Sequence, residues 1–224
     1  MTTLDTGTAL RTTASDLVRP CLAAAVVAPT LLLMASVIGI ASGDVDRSGW
    51  AGGVMILAFA AYGPAFMGIA LVASPRVPAL ARSILVIGGL VTAAGAGFGV
   101  DLIAAGRFGE RLPMPPDFAP GTVFLAIPGL MLPVLFVLIG ITLVRGRLVP
   151  GWLGGLVAIG GALFPAGRVP RPPLPALMLA ADLLLLTALV LVVVRLWPAA
   201  APDRTTSVPR GSWLEGPRPR TGLT

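Results

Sequence analysis

Residues 83–105 read SILVIGGLVTAAGAGFGVDLIAA, and this stretch decides the class of fold. It carries a single charge, Asp101. A helix rises about 1.5 Å per residue, so the stretch is long enough to span a hydrocarbon core of about 30 Å. Its small residues are ordered. Gly89, Ala93, Gly97, Asp101 and Ala105 recur at every fourth position, and Gly95 and Gly99 form a small-xxx-small pair on a neighbouring stripe. Lipid does not push apolar helices together, so association in a membrane depends on close backbone approach, which small residues permit. The pattern predicts a helix at the centre of a bundle. Gly89, Ala93, Gly95, Gly97 and Gly99 would be its packing surface, and Asp101 would face protein and not lipid.

Runs of the same kind fill most of the chain. The 224 residues are 56% hydrophobic and only 12% charged, about half the charged share usual in soluble domains. Apolar segments run at 20–42, 50–73, 83–105, 121–144, 151–166 and 174–197. This predicts an all-α, polytopic transmembrane bundle of six spans over residues 20–197. The polar segment 1–19 and the Arg- and Pro-rich segment 198–224 are expected to be disordered tails. The first run is longer than the roughly 7–15 residues of a signal-peptide core, which favours a retained span. Span five is short. It must thin the bilayer, extend into the hairpin before it, or turn back without crossing. Gly63-Pro64 interrupts span two, and Pro128 and Pro133 lie inside span four, so bends are expected there. An interrupted span two and a short, Gly-rich span five stand at matching positions if spans one to three and four to six are two halves, a weak pointer to an inverted repeat.

The formal net charge is +6, and every basic residue is Arg. These Arg residues sit singly or in pairs at the ends of apolar runs, with no basic stripe interleaved with aromatics. That placement excludes nucleic-acid binding and reads as membrane orientation. With six spans, one side receives Arg11, Arg19, Arg76, Arg82, Arg145, Arg147 and the C-terminal Arg195, Arg204, Arg210, Arg218 and Arg220. The other receives only Arg47, Arg107, Arg111, Arg168 and Arg171. The Arg-rich side should be cytoplasmic, which puts both termini inside and predicts a multi-pass protein of the bacterial plasma membrane.

Chemistry has few places to live. There is no His, Lys, Asn or Gln, and Cys21 is the only cysteine. His-ligated haem, His–zinc sites, Ser-His-Asp triads and intrachain disulfides are therefore excluded. No Gly-x-x-x-x-Gly-Lys phosphate loop or Gly-x-Ser-x-Gly elbow is present. No cofactor is expected, and neither is an enzyme. Asp44-x-Asp46 resembles half of a calcium loop, but the remaining ligand positions are missing, which leaves a solvated turn. Cys21 heads the first span, where it reads as a small apolar residue or, less well supported, a lipidated one.

Two ionisable residues lie well inside the spans, Asp101 and Asp182, both in the half of the membrane away from the cytoplasm. A buried carboxylate must pair, take a proton or face water. Arg107, Arg111, Arg168 and Arg171 are the cations on that side. One reading makes Asp101 and Asp182 proton or cation sites of a small transporter or permease. The other makes them structural, in an accessory membrane protein that acts by packing its helices against a membrane-protein partner or a second copy of itself. The hairpin Arg145-Gly-Arg147-Leu-Val-Pro150-Gly151-Trp152-Leu153 and the Gly/Ala-rich spans resemble uncharacterised six-span bacterial integral membrane proteins, the kind gathered in families of unknown function. The resemblance covers about residues 20–197. It implies the fold and brings no activity with it.

Overall fold

The computed structural model of the chain describes residues 6–45, 47–109, 120–168 and 174–200. Among these residues there are six α-helices, one short 3-10 turn and no strand. The helices are α1 (Thr6–Ala41), α2 (Gly49–Ala73), α3 (Pro78–Phe108), α4 (Pro120–Arg145), α5 (Gly151–Arg168) and α6 (Pro175–Leu196); the turn is Pro198–Ala200. Each apolar run has become one helix. Four of them, Asp16–Ala41 within α1, α2, α3 and α6, are long and apolar enough to cross a membrane.

Local signals set the helix ends. Ser48 caps α2 by accepting from the Ala51 N–H at 3.3 Å. Pro78 and Pro175 open α3 and α6, where a missing N–H costs nothing. Gly109 closes α3 with φ of 74°, in the left-handed region that glycine enters freely. The first helix starts at Thr6, ahead of the apolar run that begins at residue 20. Once an apolar span has formed a helix, each added residue only propagates it, so polar residues can extend the end at little cost. Residues 1–5 and the 201–224 part of the C-terminal tail lie outside the described residues.

Neighbouring helices run antiparallel and close into a ring, each packed on the next, with α6 returning to α1. Glycines mark the seams. Gly52 of α2 and Gly99 of α3 lie backbone to backbone, and Gly140 of α4 and Gly154 of α5 do the same at the opposite end of the bundle. A Cβ at Gly95 would overlap the Phe59 ring, one at Gly88 would press on Phe66, and one at Gly161 would overlap Phe136. Across the ring, α2 meets α4 through aromatic side chains. Tyr62 stacks on Phe66 at 5.3 Å and meets Phe136 edge-on at 5.9 Å. The interior is filled by these rings with Leu32, Ile84, Leu132, Leu135, Ile139 and Leu185.

The α3 helix is not central. It packs on α2 and α4 and is the least buried of the four long apolar helices. The stripe read along it also divides. Gly89 and Ala93 face outward, and a Cβ on Gly89 would meet nothing within 4 Å. Gly97 is half-buried, while Gly95, Gly99, Asp101 and Ala105 are buried. The cause is helical geometry. A step of four residues overshoots a turn by about 40°, so four such steps rotate the stripe by about 160°. The seam follows the true helical period through Ile84, Gly88, Val91, Gly95, Gly99 and Leu102.

The fifth helix reaches Arg168, two residues beyond the expected span. It runs antiparallel to both neighbours. Gly154 and Gly161 lie against Gly140 and Phe136 of α4, and Gly160 and Gly167 against Leu185 and Met178 of α6. It therefore does not turn back on itself.

Candidate functional site

Three helix segments converge at one end of the bundle. Ser36 is near the C-terminus of α1, Arg168 is the last residue of α5, and Asp182 lies in the second turn of α6, about 10 Å from that helix's start. All three sit at this end because α5 and α6 are joined there and α1 runs antiparallel to α6. Asp182 is 1% exposed and Ser36 is 3% exposed.

The geometry is a closed cluster. Arg168 Nη2 donates to Asp182 Oδ2 at 2.7 Å and to Oδ1 at 2.9 Å. It also donates to Ser36 Oγ at 2.8 Å. Ser36 Oγ in turn donates to Asp182 Oδ2 at 2.6 Å, short enough for a charge-assisted bond. The guanidinium lies over the Phe164 ring, 3.9 Å from its centroid, and Nη1 reaches the Phe164 carbonyl at 3.4 Å. A carboxylate in this position would be costly alone. Here its charge is cancelled, and α1, α5 and α6 are tied together.

Buried donors are left over. Arg168 Nε and the Tyr62 hydroxyl are buried and have no acceptor among the described residues. Tyr62 is fully buried in α2, among Phe59, Phe66 and Phe136.

Asp101 is separate. It is buried on α3 at 5% exposure, and α3 and α6 are not neighbours in the ring. The two carboxylates named from the sequence are thus on different seams, and only Asp182 belongs to the cluster. Of the four expected cationic partners, Arg168 is the one that reaches Asp182. Arg111 and Arg171 lie outside the described residues. Arg107 is exposed and lies near Phe108, its side chain 5.8 Å from the ring centroid. Asp44 and Arg47 form an exposed pair at 4.0 Å, while Asp46 lies outside the described residues. Cys21 is buried against Gly68 of α2, inside the α1–α2 seam. Among the described residues, no three Cys, Asp or Glu side chains gather as metal ligands.

From the sequence, the Ser and Thr hydroxyls and Tyr62 are all open as partners for Asp182, and nothing singles out Ser36. Ser36 is one hydroxyl in an apolar run, and other span hydroxyls, Thr30, Thr92 and Thr142, merely bond the carbonyl four residues back. Tyr62 carried one usable signal: it is the only tyrosine, and it sits at mid-span, where a phenol needs a partner.

Comparison with family models, with curated proteins and with solved structures found no match to this chain. The reading of function therefore rests on the molecule alone. Its apolar helices mark it as a membrane protein.

Proposed function

We propose that all six helices cross a bacterial plasma membrane with both termini in the cytoplasm. In this reading the protein performs no chemistry of its own and acts by packing against a membrane-protein partner or a second copy of itself. The Arg distribution and the strict alternation of helix direction support the topology. The observation that carries the function is the outward face of α3. Gly89 and Ala93 present a small-xxx-small pair on the least buried long apolar helix, over a core that is already filled.

A cation site at Asp182 is less well supported, because an entering cation would meet the Arg168 guanidinium 2.7 Å from the carboxylate. An aspartyl enzyme is less well supported because Asp101 and Asp182 stand on helices that do not adjoin.

The test uses cysteine cross-linking in native membranes. Cys21 is buried, so an introduced cysteine is the reactive one. Ala93→Cys should cross-link to a defined neighbour, whereas Val194→Cys, on the outward face of α6, should not. Equal cross-linking at both positions would reduce the contact to random collision and remove the reading. A cytoplasm-only reporter silent at residue 200 and active at residue 110 would reverse the orientation.

A further inference from the structure

The two ends of the bundle balance their charges differently. Among the described residues, the end that holds the α1–α2 connection has three arginines, Arg47, Arg107 and Arg168, and three aspartates, Asp44, Asp101 and Asp182. Arg47 and Arg168 are in ion pairs there. The opposite end has six arginines, Arg19, Arg76, Arg82, Arg145, Arg147 and Arg195, and one carboxylate, Asp16. Five of the six are exposed, where water serves them. Arg19 is the exception.

Arg19 stands at the head of the apolar part of α1, where α1 meets α6. It is half-buried, and its Nε is buried with no acceptor among the described residues. Its guanidinium lies over the ring of Trp197, the residue that closes α6, 5.6 Å from the centroid. The stem is therefore packed and the charge partly removed from water. Asp16, one turn earlier on α1, is exposed and forms no ion pair with it. The two Nη groups are neither buried nor bonded among the described residues, so they are what a ligand reaches. A half-buried guanidinium with no carboxylate calls for an anion from outside the protein.

The place decides which anion. The apolar part of α1 and the whole of α6 are each long enough to cross a membrane, and Arg19 and Trp197 stand at the ends of those stretches. Indoles and lipid headgroups share that depth. Further along α6, Val194 and Leu191 are exposed, an apolar strip that begins one turn from Trp197. The planar fork of a guanidinium matches the oxygens of a phosphate.

We propose that this end of the α1–α6 seam is a binding site for one anionic phospholipid, its phosphate on Arg19 and an acyl chain along Val194 and Leu191. A zwitterionic lipid carries the same phosphate, but its own ammonium offsets it; phosphatidylglycerol brings a net negative charge to an end with surplus arginines. The site requires that α1 and α6 cross the membrane. It depends neither on their orientation nor on what packs against α3.

Trp197 reports on the site directly. Full-length protein carrying Trp50→Phe, Trp152→Phe and Trp213→Phe keeps it as the only tryptophan. The protein is placed in phosphatidylcholine nanodiscs in which a minor share of the lipid is replaced by acyl-brominated phosphatidylglycerol or by acyl-brominated phosphatidylcholine. Bromine quenches an indole on contact. The expected preference is about fivefold for phosphatidylglycerol, which is what one arginine at the surface supplies. Arg19→Gln should bring that ratio to about one, and Arg82→Gln, at the same end on α3, should leave it unchanged. Inorganic phosphate in the buffer should not displace the lipid. Equal quenching by the two lipids overturns the proposal. A fall in the ratio with Arg82→Gln also overturns it, by reducing the preference to the general field of that end; this arm decides even if Arg19→Gln fails to fold. Displacement by inorganic phosphate would overturn it in favour of a site for the free anion. Quenching by neither lipid would sink both the site and the spanning of α6, whereas equal quenching leaves the spanning intact.

Discussion

An arginine bridges elements at each end of the bundle, and the two do it differently. At one end Arg168 leaves the tip of α5, reaches Asp182 and Ser36, and is mostly buried. At the other, Arg76 of the α2–α3 loop donates to the Gly146 carbonyl at 3.1 Å and, at 3.5 Å, to that of Arg147 in the α4–α5 hairpin. The Arg76 side chain is exposed, and its acceptors are backbone groups. The first bridge joins two full charges in an apolar medium; the second joins one charge to dipoles beside water. The surroundings decide what such a bridge is worth. Water competes for an exposed donor and screens it, whereas a buried charge deprived of its partner has nothing else to turn to.

The largest effect should come from leaving that buried charge unpaired. Arg168→Leu is expected to destabilise the protein by about 3–5 kcal/mol. That loss belongs to the carboxylate left without its partner. Adding Asp182→Leu to Arg168→Leu should recover most of it. Unfolding of the purified protein in mixed detergent measures all three variants. Parent-like stability of Arg168→Leu at neutral pH would mean that the pair does not hold α5 to α6 and α1, and the contrast between the ends would vanish.

The next effect concerns the wall between the ends, and it shows what could be read from sequence. Gly95→Leu should cost about 1–3 kcal/mol, because the new side chain enters the space of Phe59. Gly89→Leu should cost almost nothing in the isolated protein, since its position is open. The six helices were legible because apolar length is a local property, and each boundary within 20–197 except the start of α1 falls within about five residues of the run that announced it. The rotation of α3 about its axis was not legible. It depends on which side meets Phe59 and Phe66, and those contacts are set by another helix. The same holds for the site. Asp182 stood out as a charge in an apolar run, and Arg168 was among the cations on its side. Ser36 became part of the picture only when α1 was placed against α6, a matter of packing between residues more than a hundred positions apart.

Ser36→Ala tests the third member of the cluster. It removes one bond to a charged acceptor while leaving the ion pair, so a loss of about 1.5 kcal/mol is expected in the same unfolding assay. Arg76→Ala, at the opposite end, should cost no more than about 0.7 kcal/mol, and the loss should be smaller at high salt. If Arg76→Ala proved the more damaging of the two, the hairpin contact would be the main clamp.

The smallest expected change has the opposite sign, and it lies in the hairpin that Arg76 touches. The end of α4 is closed by a Schellman motif. The Leu148 N–H bonds the Leu143 carbonyl, and the Arg147 N–H bonds the Val144 carbonyl, both at 2.9 Å. This geometry needs a left-handed residue, and Arg147 supplies it with φ of 51°. Glycine is the usual occupant, because a Cβ costs energy in that region. Gly146, one position earlier, is not in that conformation. Arg147→Gly should therefore relieve strain, but it also frees the unfolded chain, and glycine's extra entropy there cancels part of the gain. The net is a stabilisation of about 0.5 kcal/mol, visible as a small rise in thermal midpoint in detergent. The Arg76 bonds go to the carbonyls of Gly146 and Arg147, which the substitution keeps, so the gain should persist in an Arg76→Ala background. A loss of stability would mean that the Arg147 side chain makes a contact worth more than the strain of its backbone.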